Sequence, residues 1–189
     1  MSLSPTGSGR LFVISGPSGA GKGTLVQELL ASRPDIYLSV SSTTRPMRRH
    51  ERDGVDYNFI SVPAFLGMRD RGEFLESARV YDNYYGTPRG PVDAALVRGA
   101  DVICELDIQG AASVKRAKPD SILIFIEPPS FDVLRARLRG RGTEDTDALF
   151  KRLEAAYNEV KAKGTYDHIV INDDVGRAVE ELARIMERH

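Results

Sequence analysis

The chain has 189 residues, 41% of them hydrophobic, and a formal net charge of −1. That length supports one sizeable core and is short for two ordinary domains, while no apolar run approaches the about 18 residues that a membrane-spanning helix needs. The near-neutral balance excludes a whole-protein field that would gather nucleic acid, and the single Cys104 excludes an internal disulfide.

Residues 1–9 (MSLSPTGSG) carry neither the basic nor the apolar region of a signal peptide and read as a flexible tail before one domain at 10–189. A cytoplasmic protein without a membrane partner is the expectation. Leu11–Ser15 predicts a buried strand, followed by a Gly-rich turn and a helix from Lys22 to about Ala31, stopped before Pro34. The stretch Ser42–Arg89 is rich in Arg, Asp, Gly and Tyr, with short β-like pieces at Tyr57–Ile60 and Phe74–Val80. It reads as an inserted mixed α/β lobe, about 42–89. Beyond it, helical patterns at Val92–Val97, Phe131–Leu138, Ala148–Val160 and Val175–Met186 alternate with strand patterns at Asp101–Leu106, Ile122–Ile126 and His168–Ile171. This alternation predicts an α/β fold, a three-layer core (10–41 and 90–189) around a central parallel sheet. Gly140 and Gly142 in RGRGTEDTD act as hinges for a small lid, about 140–147. Cys104, in the apolar run Val102-Ile103-Cys104, reads as a packing residue.

The strongest chemical signal is GPSGAGKG, Gly16 to Gly23, placed between a predicted strand and a predicted helix. Glycines let backbone N–H groups turn toward phosphate oxygens, the helix N-terminus adds partial positive charge, and Lys22 supplies a point charge. Gly16, Pro17, Ser18, Gly19, Ala20, Gly21, Lys22, Gly23 and Thr24 are therefore the candidate triphosphate site. Gly23 stands where a phosphate loop usually has the Ser or Thr whose hydroxyl ligates Mg²⁺. The GKGT ending resembles that of adenylate kinases, which implies a metal held mostly by nucleotide oxygens and water, with no direct protein ligand assigned. Glu105 and Asp107 end a predicted strand, where open α/β sheets place ligand-binding groups. A cap on the following helix is the alternative for Asp107.

The strings SVSSTTRPMRRHERDGVDYNF (Ser39–Phe59), GEFLESARVYDNYYGTP (Gly72–Pro88), ICELDIQG (Ile103–Gly110), RLRGRGTE (Arg137–Glu144), FKRL (Phe150–Leu153) and VINDD (Val170–Asp174) resemble the guanylate kinases, of the nucleoside-monophosphate kinase family. The resemblance runs from Arg10 to the C-terminus and implies transfer of a phosphoryl group from ATP to GMP with Mg²⁺. It puts Arg45, Arg48, Tyr57 and Tyr85 on the GMP phosphate, groups whose guanidinium forks and phenol hydroxyls suit a phosphate. Glu76 matches the guanine-reading position, and a carboxylate has two acceptors for the N1–H and N2–H₂ donors of guanine. Ser41 and Thr87 would offer hydroxyls to the base, and Glu51 would orient the arginines. Glu105 and Asp107 would serve the metal's water shell or the acceptor nucleotide. Arg137, Arg141 and Arg152 match the arginines that close over the transferring phosphoryl group, the catalytic set with Lys22. Asn172 matches a position contacting the adenine of ATP, although an ordinary turn Asn fits it nearly as well. Arg49 and Arg52 read as a solvated face.

Two other functions share this fold: a non-catalytic interaction module and a kinase with another phosphate acceptor. Lys22 with a full set of loop glycines weighs against the first, and Glu76 with Asn83–Gly86 weighs against the second.

Overall fold

Leu11–Ser15 is buried at every residue, which requires cover on both faces of the strand. A computed structural model describes residues 8–139 and 146–189. It begins with β1 (Leu11–Ser15), a Gly-rich loop, α1 (Lys22–Ser32) and β2 (Tyr37–Leu38). There follow β3 (Ser42–Thr43), β4 (Asn58–Phe59), α2 (Val62–Asp70), β5 (Phe74–Val80), β6 (Asn83–Pro88) and α3 (Arg89–Val97). The chain continues through β7 (Val102–Glu105), α4 (Ile108–Ala117), β8 (Ile122–Glu127), α5 (Phe131–Arg139), α6 (Thr146–Lys161), a 3-10 turn at Ala162–Thr165, β9 (His168–Ile171) and α7 (Val175–Arg188).

A five-stranded parallel sheet has the order β2-β7-β1-β8-β9, with Phe12 opposite Ile122 and Ile124 opposite His168. Strands adjacent in this sheet are distant in sequence, so each crossover has room for the helix that a parallel connection needs. Leu25, Val26 and Leu29 of α1 are buried, as are Ala178, Leu182, Ile185 and Met186 of α7, and these two helices pack on each other. The expected α/β class with a central parallel sheet is therefore what the chain adopts. A second, mixed sheet of four strands has the order β4-β3-β6-β5, with β3 parallel to β4 and antiparallel to β6.

Among the described residues the chain divides into two compact units. One comprises residues 8–11, Asp35–Cys104 and Ala112–Ser121, and holds the second sheet. The other comprises Phe12–Pro34, Glu105–Ala111 and the described residues from 122 to 189, and holds the Gly-rich loop.

Two helices are additional to those expected from the sequence. The Oγ of Ser61 accepts from the Ala64 N–H at 3.3 Å and a proline occupies the first turn of α2, so the start signal is ordinary. Only Phe65 of that short helix is buried, stacking on Phe74 (ring centroids 4.5 Å) and Tyr84 (5.4 Å), too little to create a helical period. Helix α4 is similarly faint because Gly, Ala and Ser dilute its apolar face. Of the expected lid, residues 140–145 lie outside the described residues, Arg141 among them, as do tail residues 1–7. No helix among the described residues is long and apolar enough to cross a membrane.

Candidate active site

Between β1 and α1 the backbone reaches positive φ at Gly16 (143°), Gly19 (86°) and Gly21 (91°). At Gly21 a Cβ would stand 2.3 Å from Asn172 Nδ2, and at Gly16 it would stand 2.3 Å from the Ile126 carbonyl oxygen. Neither the conformation nor the space admits a side chain at these two positions. Helix α1 then begins with no side-chain cap, so its first-turn N–H groups remain for a ligand. They adjoin a cavity of about 420 Å³ lined by Gly16, Ser18, Gly19, Gly21 to Thr24, Glu105 to Asp107 and Glu159. Lys22 Nζ donates to the carbonyls of Gly16 (2.6 Å) and Pro17 (3.2 Å), which keeps its charge against the loop.

Three acids line this cavity. Glu105 is solvent-accessible from the cavity, yet the surrounding walls desolvate its carboxylate and raise its pKa above the usual range, with attraction to Lys22 acting in the opposite sense. Glu159, half-buried on α6, is also raised chiefly by burial, against the pull of Lys22. Asp107 Oδ1 accepts from Gly110 N at 2.7 Å, so it caps α4 as well as lining the cavity. On the far side of the loop, Asn172 is only 3% exposed and donates from Nδ2 to the Ala20 carbonyl at 2.7 Å. Arg137 donates to the carbonyls of Ala20 (3.3 Å) and Asn172 (3.1 Å). Both side chains hold the outer curve of the loop.

The second sheet gathers the other candidates. Antiparallel register sets Glu76 opposite Thr87, and the Thr87 hydroxyl donates to Glu76 Oε1 at 2.7 Å. One carboxylate oxygen is thereby oriented by a buried side chain, Thr87 being 1% exposed. Arg45 forms a two-pronged pair with Glu51, each prong 2.8 Å, and its guanidinium lies 5.3 Å from the Tyr57 ring centroid and 5.6 Å from that of Phe59. Tyr57 meets Tyr85 edge to face at 6.1 Å. Arg48 has an exposed side chain, while its backbone N–H donates to Glu51 Oε2 at 2.8 Å. The hydrogen bonds from Arg45 and then Arg48 lower the Glu51 pKa to about 2, and those with Glu51 raise that of Arg45. Ser41, partly buried, accepts the Asn58 N–H on its carbonyl at 2.8 Å. Burial pushes the Cys104 thiol up to about 12, in keeping with a packing role.

Residues 8–189 match the family model described as Guanylate kinase. The chain belongs to the guanylate kinase family. A guanylate kinase of Carboxydothermus hydrogenoformans is 48% identical over 178 residues, which cover 94% of this chain and 87% of that protein. One of Caldanaerobacter subterraneus is 49% identical over 178 residues, covering 94% and 86% respectively. The crystal structure of guanylate kinase from Anaplasma phagocytophilum superposes with a TM-score of 0.79 at 30% identity, over 97% of this chain and 87% of that one.

With the family established, the candidates sort by element. Gly16, Ser18, Gly19, Gly21 to Thr24, Glu105 and Asp107 line the loop cavity, whereas Pro17 and the buried Ala20 do not; Arg45, Glu51, Tyr57 and Tyr85 form one cluster, and Glu76 and Thr87 another. Asn172 and Arg137 sit behind the loop and both grip its Ala20 carbonyl. Arg152 lies on an exposed face of α6. Glu159 was not among the sequence candidates. In AAYNEVKAKG it carries the signature of any solvated helix position, and no spacing in the sequence ties it to the loop cavity.

Proposed function

We infer that this member of the guanylate kinase family transfers the γ-phosphoryl group of ATP to GMP, releasing ADP and GDP. The intact phosphate loop carries the reading: left-handed glycines, a helix N-terminus without a side-chain cap and Lys22 together make a triphosphate site that an interaction module has no need to keep. The core segments 10–41 and 90–189 serve ATP, the lobe at about 42–89 serves GMP, and the lid at about 140–147 supplies Arg141.

ATP phosphates accept from the loop N–H groups, and Lys22 exchanges its loop carbonyls for phosphate oxygens. Arg45, Arg48, Tyr57 and Tyr85 receive the GMP phosphate, Glu51 fixing the fork of Arg45. Glu76 reads the guanine edge, with Thr87 and Ser41 beside it supplying hydroxyls. Asn172 and Arg137 keep the loop in shape; buried on the Ala20 carbonyl, the Asn172 side chain is placed for that task and not for the adenine contact expected of it. Arg137, Arg141 and Arg152 stabilise charge that spreads over the equatorial oxygens of the transferred group. No catalytic base is required when positioning and electrostatics carry the step.

Mg²⁺ enters with ATP. Among the described residues no group of three His, Cys, Asp or Glu side chains is arranged to hold a metal, and Gly23 offers no hydroxyl. The available donors, Glu105, Asp107 and Thr24, are hard oxygens at the loop cavity and suit an ion held by nucleotide oxygens and water. Bound there, it would neutralise phosphate charge. Both substrates are intracellular nucleotides, which supports a cytoplasmic place of action.

The test is ADP release with GMP, IMP, AMP, CMP and UMP as acceptors. GMP is expected to be best, IMP, which keeps N1–H and loses the 2-amino group, intermediate, and AMP lower in kcat/KM by about 10⁴. Turnover without any acceptor preference would remove the assignment.

A further inference from the structure

We propose that Asp53 is a positioning residue that fixes Tyr57 for the GMP phosphate, by standing with Gly54 as the neighbour that an edge strand otherwise lacks. The inference rests on the assignment of Tyr57 made above and extends it to a residue with no assigned task.

Its grounds are hydrogen bonds within the second sheet. There β4 is an edge strand, paired on one side only, with β3. On that inner side the Asn58 N–H donates to the Ser41 carbonyl at 2.8 Å and the Ile60 N–H to the Thr43 carbonyl at 2.9 Å. Residues 57 and 59 alternate with these, so their backbone groups face away from β3, where an edge strand has no sheet partner. The preceding turn fills that place. The Gly54 N–H donates to the Tyr57 carbonyl at 2.8 Å, Asp53 forms an isolated parallel bridge with Tyr57, and Asp53 Oδ1 accepts the Phe59 N–H at 2.9 Å. The turn is itself braced: Asp56 Oδ2 accepts the Arg52 N–H at 2.7 Å, the Arg52 carbonyl accepts from Val55 (3.2 Å) and Asp56 (3.0 Å), and Gly54 takes a left-handed φ of 75°.

Strand alternation links this brace to the ligand cluster. Side chains two apart share a face of a strand, and the Tyr57 and Phe59 rings meet edge to face at 5.9 Å, with the Arg45 guanidinium 5.3 Å and 5.6 Å from their centroids. A backbone held at 57 and 59 therefore sets both rings against Arg45. Without the Asp53 carboxylate the Phe59 N–H turns to water, and this end of the edge strand is free to twist away from Arg45 and Tyr85. The non-attacking oxygens of the acceptor phosphate carry their charge in the ground state and the transition state alike. A displaced Tyr57 thus weakens GMP binding and leaves the chemical step largely alone.

The experiment is a double-mutant cycle with conservative rescue. Asp53→Ala should raise KM for GMP about 5- to 10-fold, leave KM for ATP unchanged and change kcat less than about 2-fold. Asp53→Asn keeps a carbonyl acceptor for the Phe59 N–H and should bring KM for GMP back to within about 2-fold of wild type. When Tyr57→Phe is already present, Asp53→Ala should raise KM for GMP less than about 2-fold further, because the hydroxyl it positions is gone. Circular dichroism and a thermal melt check that each variant folds. Amide exchange on the wild-type protein keeps the test decisive if Asp53→Ala does not fold: the Phe59 N–H should be protected although it lies on the outer side of an edge strand, and exchange at the rate of an open amide would overturn the proposal. Equal losses in the Asn and Ala variants, full additivity with Tyr57→Phe, or a fall in kcat with KM for GMP unchanged would overturn this proposal alone. A wild-type KM for GMP in Tyr57→Phe would remove the parent assignment and this proposal together.

Discussion

The phosphate loop presents its candidates from one consecutive stretch, most of residues 16–24 lining a single cavity, whereas the second sheet gathers its candidates as side chains from separate stretches, Arg45 with Tyr57 and Tyr85 in one cluster and Glu76 with Thr87 in another. The loop's shape is enforced by φ angles at glycines and by Asn172 and Arg137 gripping the Ala20 carbonyl from behind. In the sheet, the groups that would bind ligand also hold each other: Arg45 with Glu51, Tyr57 with Tyr85, Thr87 with Glu76. The difference teaches that chemistry and folding are separable in the loop and intertwined in the sheet.

The sharpest break of that comparison is Lys22→Ala. It should lower kcat by about 10³-fold, since transition-state charge goes uncompensated, while leaving the melting temperature unchanged. A stability loss matching the activity loss would show that the loop, too, depends on its functional side chain for its fold.

Glu76→Gln comes next. Its NH₂ must face a guanine donor or the Thr87 hydroxyl, so a charge-assisted hydrogen bond is lost and a polar group is stranded. The cost is about 2–4 kcal/mol, which is about 30- to 1,000-fold in kcat/KM for GMP, with ATP affinity nearly unchanged. Titration of ATP alongside GMP kinetics measures both. Retention of the wild-type rate and base preference would take the reader's role away from Glu76.

The smallest effect concerns Glu51, whose folded-state pKa of about 2 lies below its ordinary value of 4.5. A depressed carboxylate contributes stability that is fully present above its unfolded pKa and is lost as pH falls through the folded one. Between about pH 4.5 and 2, wild type should therefore lose stability that Glu51→Gln never had, and the two should converge. At neutral pH the variant should melt slightly lower and show a raised KM for GMP, because Arg45 loses one prong of its pair and the charge that strengthened the other. Parallel acid unfolding curves for the two proteins would count against the intertwining of structure and ligand site in the sheet.

By itself the sequence determined the alternating strands and helices of the core, the phosphate loop with its lysine, and, through strings such as Ser39–Phe59, the family. These are local patterns: continuous apolar runs, glycines at fixed offsets, contiguous motifs. The second sheet was legible only as β-like fragments, because β3 and β4 are two residues each and find their partners through long-range pairing. Only the tertiary structure decided that Thr87 gives its hydroxyl to Glu76, that Asp107 caps α4 while lining the cavity, and that Asn172 faces the loop carbonyl of Ala20. It also brought Glu159 to the cavity that Ser18 lines, 141 positions apart in sequence. A hydrogen bond depends on where two groups lie in space, and for partners so distant along the chain that is settled by how the elements pack, which no local spacing encodes.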